Sequence, residues 1–542
     1  MGWNFGNILD AIAEVLPQDK PCLVHGETTL SWGDFNRRSN NLARRFLNRG
    51  AQAGDKVAFY MRNHPAYMET LAACFKARLT HVNVNYRYVD DELWYILDNS
   101  DSKIVVYASE FAPHVEALRA RLPQVELWVE VCDETPQASF AVSYEDLVDI
   151  GDGQPLEIER YPDDMLFLYT GGTTGMPKGV MWTHEALWQA GGGGATALTE
   201  MIAPEDLATH VANVKRAGGG GVTLPCCPLM HGTGLFTSIS ALNQGGTIVT
   251  LPGHTLDPEQ TWDAVEANKV NAMAIVGDAF ARPLLAALDD QPERWDISSV
   301  MGMISSGVMW SPEVKQGLLR HNPAMVLTDS FGASEAVGFG RSDTTIDGVA
   351  ETASFTLGES CKVFTEDFRE IQPGSEEVGV IARSYAIPSG YYKDPEKTAK
   401  TFPEINGVRY SIPGDYCRVN ADGTLVLLGR GSVCINTAGE KVYPEEVEEV
   451  LKQDAGVADA LVVGVPSEKW GQMVTAVVQP EKGRPFDEAQ LKAFVRGKLA
   501  GYKTPKHIFA VESLGRAHNG KADYKAITEF AIQQLEQEPV DA

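Results

Sequence analysis

The stretch MLFLYTGGTTGMPKGVM, residues 165–181, is the most informative part of this sequence. Its apolar start at 165–168 predicts a buried strand. Glycines, threonines and Lys178 follow. Glycines let backbone N–H groups turn toward an anion, while hydroxyl and ammonium groups supply further donors. The stretch therefore predicts a phosphate-binding loop, with a flexible Gly/Thr surface turn as the alternative. It lacks the G-x-x-x-x-G-K-[ST] spacing of the Walker P-loop.

Length and charge place the chain among large acidic globular proteins. At 542 residues it is too long for one compact core, so two or more domains are expected. Forty-six Lys and Arg residues against 73 Asp and Glu residues give a net charge of −27. This acidity disfavours nucleic acid or an anionic membrane as a general partner. An acidic protein that binds a polyphosphate must concentrate positive charge locally or recruit a divalent metal.

The cysteines and the N-terminus predict a cytoplasmic protein. The eight cysteines are scattered without a CxxC pair, which is typical of a reducing compartment. The first residues, MGWNFGNILDAIAEVL, lack the basic and apolar regions of a signal peptide. No run of about 18 apolar residues predicts a membrane-spanning helix.

Strand and helix patterns alternate through most of the chain. A helix is predicted over 31–50, capped by Ser31 and stopped by Gly50, and strands are predicted near 57–61, 103–107, 126–131, 246–251, 270–276 and 300–305. This alternation predicts an α/β fold with mostly parallel sheets covered by helices, over a large domain at residues 1–430. Residues 431–542 change in texture and predict a small, mobile α+β domain with a hinge near Ser432.

Further motifs follow the phosphate loop in a definite order. They are PLMHGTG (228–234), ISSGV (304–308), DSFGASE (329–335), SIPGDYC (411–417), LLGRGSVCINTAGEKVYPEEVE (427–448) and RAHNGKADYK (516–525). Together with the loop at 169–181 they resemble the adenylate-forming superfamily, which contains acyl-CoA synthetases, firefly luciferase and peptide-synthetase adenylation domains. The resemblance covers nearly the whole chain, and the motifs are jointly specific.

The resemblance implies a set of site residues. Glu335 is the expected Mg²⁺ ligand, and the expected catalytic residues are Thr170, His231, Glu335 and Lys521. The expected nucleotide and CoA contacts are Thr170, Gly171, Gly172, Thr173, Thr174, Gly175, Lys178, Ser306, Gly307, Asp329, Ser330, Phe331, Gly332, Ser334, Asp415, Arg430, Gly439 and Lys441. The expected acid-binding residues are His231, Gly277, Asp278, Ala333 and Gly338.

The chain departs from the family pattern at two positions. Ser432 stands where the hinge residue is usually Asp or Lys, and Asn436 replaces a common lysine. A hinge only has to absorb a backbone rotation, so serine is expected to serve. The change at Asn436 leaves details of the second half-reaction open.

The implied activity is an AMP-forming acid–thiol ligase that uses ATP, Mg²⁺ and coenzyme A. Small residues around 277–281 and at Gly302, Ala333 and Gly338 favour a medium- or long-chain fatty acid or a bulky acid such as a steroid carboxylate. VGDAFARPL (276–284) also resembles ligases for such acids. The alternatives are an aryl-alkanoate ligase, a freestanding enzyme that loads a carrier protein, a luciferase-like oxygenase and a non-catalytic acyl-nucleotide-binding protein. Asp278 is expected either to face a substrate hydroxyl or to bond local backbone. A homodimer stays open.

Overall fold

The computed structural model describes most of the chain. The described residues are 2–132, 136, 138–170, 176–194, 203–308, 310–348, 354–430, 433–437, 440–467, 471–499, 501–516 and 522–537. The chain divides into two compact units: a first unit of residues 1–352 and 383–411, and a second unit of residues 353–382 and 412–542. The predicted domain boundary at 430/431 stays a prediction.

Helices and strands alternate along the chain. The helices are α1 (Phe5–Ala13), α2 (Trp32–Asn48), α3 (Pro65–Ala77), α4 (Asp90–Asn99), α5 (Ala112–Arg119), α6 (Tyr144–Asp149), α7 (His184–Ala190), α8 (Leu207–Ala217), α9 (Gly232–Asn243), α10 (Pro258–Asn268), α11 (Asp278–Asp290), α12 (Pro312–His321), α13 (Pro395–Thr401), α14 (Pro444–Lys452), α15 (Glu488–Arg496) and α16 (Tyr524–Gln537). The strands as far as residue 306 are β1 (Pro21–His25), β2 (Thr28–Ser31), β3 (Lys56–Tyr60), β4 (Thr80–Asn83), β5 (Ser102–Ala108), β6 (Leu127–Val131), β7 (Val142–Ser143), β8 (Met165–Thr170), β9 (Lys178–Thr183), β10 (Val222–Pro225), β11 (Thr247–Thr250), β12 (Ala272–Ile275) and β13 (Gly302–Ser306). The later strands are β14 (Val326–Ala333), β15 (Ala336–Thr344), β16 (Ser354–Leu357), β17 (Cys361–Phe364), β18 (Gly379–Ser384), β19 (Gly390–Tyr391), β20 (Glu404–Ile405), β21 (Val408–Ser411), β22 (Asp415–Val419), β23 (Thr424–Arg430), β24 (Ile435–Thr437), β25 (Glu440–Val442), β26 (Val457–Ser467), β27 (Gly471–Pro480) and β28 (His507–Ala510).

Two largely parallel sheets form the first unit. One has the strand order β2-β1-β11-β10-β12-β13-β14-β15, with antiparallel pairs only at β1·β2 and β14·β15. The other has the order β19-β9-β8-β4-β3-β5-β6-β7, with antiparallel pairs only at β8·β9 and β9·β19. Parallel strands need crossover connections, which the intervening helices provide.

Three hydrophobic cores arrange these sheets and helices in layers. The largest core joins side chains of both sheets, such as Ile248 and Phe59, with those of α1, α2, α3 and α9. A second core packs α10, α11 and α12 on the other face of the first sheet. A third packs α4 and α5 on the outer face of the second sheet. The predicted α/β class is confirmed.

Local sequence explains where the elements begin and end. The predicted helix at 31–50 is α2: Ser31 Oγ accepts a hydrogen bond from Asp34 N at 3.0 Å, and Gly50 beyond its end has φ +97°. A serine cap satisfies a backbone donor that the first helical turn leaves unpaired. Pro65 and Pro444 occupy the first positions of α3 and α14, where a missing N–H does no harm.

The second unit contains two β-structures. Strands β16, β23 and β22 pair in an antiparallel manner. A five-stranded sheet has the order β25-β24-β27-β26, with β28 parallel to β27. Helices α14 and α15 cover one face of that sheet and α16 covers the other. No helix in the described ranges combines the length and the apolar character needed to cross a bilayer.

Candidate active site

The phosphate loop joins two neighbouring antiparallel strands of the first unit. Thr170 ends β8 and pairs directly with Lys178, the first residue of β9. The Lys178 ammonium forms an ion pair with Asp394, the N-cap of α13. The hydrogen bond from Lys178 is the main reason why the pKa of the Asp394 carboxyl lies below its ordinary value. The bond that Asp394 accepts from Lys397 N is the second reason. The strand ends thus place one cation at the mouth of the predicted loop.

Asn83 ties this loop to the histidine motif. It ends β4 and is buried, with its Oδ1 accepting from Tyr169 N at 2.6 Å. Its Nδ2 donates to Tyr169 O at 3.0 Å and to Met230 O at 2.7 Å. Thr170 and His231 follow these two residues in the chain, so one amide links both predicted segments. Asn83 is not among the site residues predicted from the sequence, although a polar residue at the end of an apolar strand is a usable signal.

His231 lies at the start of helix α9. It occupies the N-cap position with φ −114° and ψ 153°, and its carbonyl accepts from Leu235 N at 2.9 Å. The residue as a whole is half-buried. The structure therefore places His231 at the N-terminus of α9, six residues after the end of β10.

The carboxyl ends of parallel strands bring three further motifs together. Ser305 and Ser306 on β13 pair with Asp329 and Ser330 on β14. Gly277, which follows β12, donates its N–H to Ser305 Oγ at 2.8 Å. In open α/β sheets, ligands bind at this edge. The predicted base-binding segments thus lie side by side.

Asp329 and Phe331 are both buried and contact other side chains. The Asp329 carboxylate forms an ion pair with Lys315, whose side chain is 2% exposed. The Phe331 ring is buried against Phe339, with 5.3 Å between centroids. The predicted packing of Phe331 against adenine and the predicted cofactor contact of Asp329 stay predictions.

Glu335 stands in a tight turn that several side chains hold. Residues Ser334 and Glu335 connect β14 to β15. Trp182 Nε1 donates to Ser334 O at 2.9 Å, and Ser411 Oγ donates to Glu335 O at 2.7 Å. Tyr391 Oη donates to Glu335 Oε1 at 2.7 Å. Backbone and carboxylate are therefore fixed by separate partners.

Asp278 has protein partners for both carboxylate oxygens. Its Oδ1 accepts from Ser311 N at 3.0 Å, and its Oδ2 accepts from Ser311 Oγ at 2.6 Å and from Arg282 Nε at 3.1 Å. The backbone donor, Ser311 N, is distant in sequence rather than part of the local turn. Both roles expected for Asp278 therefore stay predictions.

Two glycines of the predicted acyl pocket have backbone reasons to be glycine. Gly277 has φ +55° with ψ −156°, and Gly338 has φ +76°. Residues other than glycine rarely adopt such backbone angles. Gly338 O accepts from Arg383 Nη1 at 2.5 Å, and Ala333 pairs with Ala336. The backbone angles alone explain why Gly277 and Gly338 are glycine, so their small size is weaker support for a large acyl pocket.

In the second unit, the two residues predicted to bind ribose share one hairpin. Asp415, which is buried, begins β22 and pairs with Arg430 at the end of β23. Several predicted positions lie outside the described residues, namely Gly171, Gly172, Thr173, Thr174, Gly175, Ser432, Gly439 and Lys521. The side chains of Arg430, Asn436 and Lys441 are likewise not described. These roles stay predictions.

Comparisons with known proteins show to which family the chain is similar. The family model "AMP-binding enzyme" matches residues 9–392, and "AMP-binding enzyme C-terminal domain" matches residues 446–521. A 3-oxocholest-4-en-26-oate–CoA ligase from Rhodococcus rhodochrous is 40% identical, covering 97% of this chain and 95% of the relative. A medium/long-chain-fatty-acid–CoA/3-oxocholest-4-en-26-oate–CoA ligase from Mycobacterium marinum is 39% identical, covering 99% and 98%. The ATP-bound crystal structure of MatB from Rhodopseudomonas palustris is 25% identical with a TM-score of 0.80, covering 98% and 99%.

The chain belongs to the AMP-binding enzyme family. The resemblance inferred from its motifs, to adenylate-forming enzymes of the acyl-CoA synthetase type, is confirmed.

Proposed function

We propose that this chain is an AMP-forming acyl-CoA synthetase that activates a medium- or long-chain fatty acid or a bulky acid such as a steroid side-chain carboxylate. The main support is 39–40% identity, over nearly the full length, to ligases named for such acids. The predicted enzyme class, an acid–thiol ligase, agrees with those names. The order and spacing of the motifs support the same chemistry.

The reaction has two steps, each of which moves charge. A carboxylate is a poor acyl donor because its leaving group would be oxide. One carboxylate oxygen attacks the α-phosphorus of ATP, pyrophosphate leaves, and acyl-AMP forms. The CoA thiol, losing its proton, then attacks the acyl carbon, and AMP leaves. The first step brings two anions together, so catalysis rests on positioning and charge neutralisation.

The chain's own groups have definite roles in this proposal. Lys178 and the loop that begins at Thr170 hold the β- and γ-phosphates, and His231 contacts the acid. Asp415 accepts from ribose hydroxyls, and Lys521 donates to the α-phosphate. Removing one such donor typically costs about 10²–10³ in rate.

Glu335 fits the requirements of a Mg²⁺ ligand. Its Oε1 accepts from Tyr391, and within the described parts of the chain its Oε2 has no hydrogen-bond partner. The side chain is partly exposed, and carboxylate oxygen is the donor that Mg²⁺ prefers. When bound, the ion would neutralise phosphate charge. Glu335 would hold it with Oε2.

The acid is identified by a panel assay. Purified enzyme with ATP and Mg²⁺ is offered acetate, octanoate, palmitate, an aryl-alkanoate or 3-oxocholest-4-en-26-oate, and AMP and thioester are measured with and without CoA. We expect octanoate, palmitate or the steroid acid to exceed acetate by about 10²-fold or more, because each buried methylene adds about 0.8 kcal/mol.

Other results of the panel would contradict parts of the proposal. A preference for acetate would contradict the bulky acid, and a preference for the aryl-alkanoate would favour the alternative ligase. Thioester formation on a carrier protein but not on CoA would contradict the acceptor. Pyrophosphate exchange into ATP that fails with every acid would contradict adenylate formation itself.

A further inference from the structure

The segment around Tyr391 runs beside the strand that begins with the phosphate-loop lysine. Strand β19 pairs antiparallel with β9, with Tyr391 opposite Val180. The pairing continues past the strand, because Tyr392 N donates to Gly179 O at 2.8 Å. A short segment distant in sequence is thereby locked alongside the predicted nucleotide site.

The position of Tyr391 within this segment is strongly determined. Its N–H donates to Thr398 Oγ1 at 2.9 Å, and Thr398 Oγ1 donates to Asp394 O at 2.7 Å. The residue is 5% exposed, and its ring lies against Phe402, with 5.7 Å between centroids. Gly390 before it has φ +144°, and a Cβ there would meet Thr398 Cγ2 at 2.5 Å. The phenol therefore has little freedom to turn away.

The Glu335 carboxylate receives its orientation from this phenol. Trp182 and Ser411 bond carbonyl oxygens of the turn, so they position its backbone. Tyr391 Oη bonds the carboxylate itself, at Oε1. A long, partly exposed glutamate otherwise loses rotamer entropy when it binds a ligand. One oxygen is thus held by protein while the other stays available.

We propose that Tyr391 is a positioning residue that holds Oε1 of Glu335 so that Oε2 is presented to the Mg²⁺ of the bound nucleotide. This inference rests on the proposed function, since it takes Glu335 as the metal ligand. Groups that orient a metal ligand from behind typically change metal affinity by about 10- to 100-fold when removed.

Tyr391→Phe tests this role, and Tyr392→Phe is the matched control. The Tyr392 hydroxyl also donates to a carboxylate, Asp101 Oδ2 at 2.7 Å, but it does not contact Glu335. Both variants lose one hydroxyl from adjacent residues. Calorimetry then measures ATP binding without acid, once with excess Mg²⁺ and once with EDTA.

We expect Tyr391→Phe to weaken ATP binding in Mg²⁺ by about tenfold or more and to leave binding in EDTA within about twofold. Tyr392→Phe should stay within about twofold of the native enzyme in both conditions. In a Glu335→Gln background, Tyr391→Phe should have little further effect, because the proposed coupling passes through the carboxylate.

Three results would overturn the proposal. They are unchanged binding in Mg²⁺ for Tyr391→Phe, an equal loss in EDTA, and a full additional loss in the Glu335→Gln background. A melting temperature lowered far more by Tyr391→Phe than by Tyr392→Phe, with equal losses in both conditions, would assign Tyr391 a purely structural role. Because no acid is present, these results are independent of whether the native enzyme exchanges pyrophosphate, which tests the proposed function.

Discussion

A single buried amide joins two parts of the candidate site that are far apart in sequence. Asn83 bonds both backbone atoms of Tyr169 and the carbonyl of Met230. Each of these backbone groups would be costly to leave unpaired in the interior. Asn83 therefore links the positions of the phosphate loop and of His231.

Replacing Asn83 by leucine should impair both substrates. We expect kcat/KM for ATP and for the acid to fall by about 10²-fold, because small displacements of reacting groups are costly. Asn63→Leu is the matched control: Asn63 bonds Leu229 N at 2.7 Å and Cys227 O at 3.0 Å but does not contact Tyr169. Asn63→Leu should lower kcat/KM for the acid and leave the KM for ATP within about twofold of the native value.

A pH profile of Asn83→Asp provides a second readout of the same contact. An ionised aspartate cannot donate to the two carbonyls, whereas a protonated one donates to one of them. Burial and the facing carbonyls should raise its pKa, so activity relative to native should increase as pH falls. A ratio independent of pH would argue against the hydrogen-bonding role.

At the scale of elements, helix α14 carries a carboxyl group whose charge opposes folding. Burial raises the pKa of Glu448 from its ordinary value of 4.5 to about 7, although Val462 N and Tyr524 Oη both donate to it. Between these values the native state keeps a proton that the unfolded chain has lost. The stability that this group contributes is therefore fully present below about pH 4.5 and is lost as the pH rises through about 7.

Glu448→Gln should remove this pH dependence. We expect the free energy of unfolding of the variant to exceed that of the native protein by about 1–3 kcal/mol at a pH of about 8 and to show no gain at a pH of about 4. Urea midpoints at the two pH values measure the difference. Glu449→Gln, which removes the ion pair with Lys452 on the same helix, should show no gain at either pH.

The junction of β19 and α13 should tolerate no side chain at Gly390. In Gly390→Ala the added Cβ would contact Thr398, and the alanine would be forced to φ +144°. We therefore expect the free energy of unfolding to fall by about 2–4 kcal/mol and ATP to bind more weakly in Mg²⁺. Gly54→Ala is the control, since φ is +86° there but nothing lies within 4 Å of the added Cβ. It should cost about 1 kcal/mol in melting studies and leave ATP binding unchanged.

Motif order and hydrophobic periodicity are the two signals in the sequence from which part of this architecture could be predicted. The strands near 57–61, 103–107 and 126–131 appear within one or two residues as β3, β5 and β6, because apolar runs bounded by turns are local signals. Asn83 and Tyr391 were not predicted as site residues. Their partners at 169 and 335 lie far along the chain, and only the pairing of strands brings them together.

At the scale of the whole molecule, the two half-reactions should separate by mutation. Lys521→Ala should abolish adenylate formation, measured by exchange of pyrophosphate into ATP, because it removes the proposed donor to the α-phosphate. Thioester formation from supplied acyl-AMP and CoA should stay within about tenfold of native. Equal losses in both reactions would contradict this division.

The amide of Asn83 has a consequence for building hybrid enzymes from related ligases. It bonds two strand ends, near 83 and 169, and the turn at Met230, and so fixes their relative positions. A crossover point that takes one stretch from a different parent would pair this amide with backbone of foreign geometry. Libraries of recombinants should therefore inherit all three stretches from a single ancestor and place their breakpoints elsewhere.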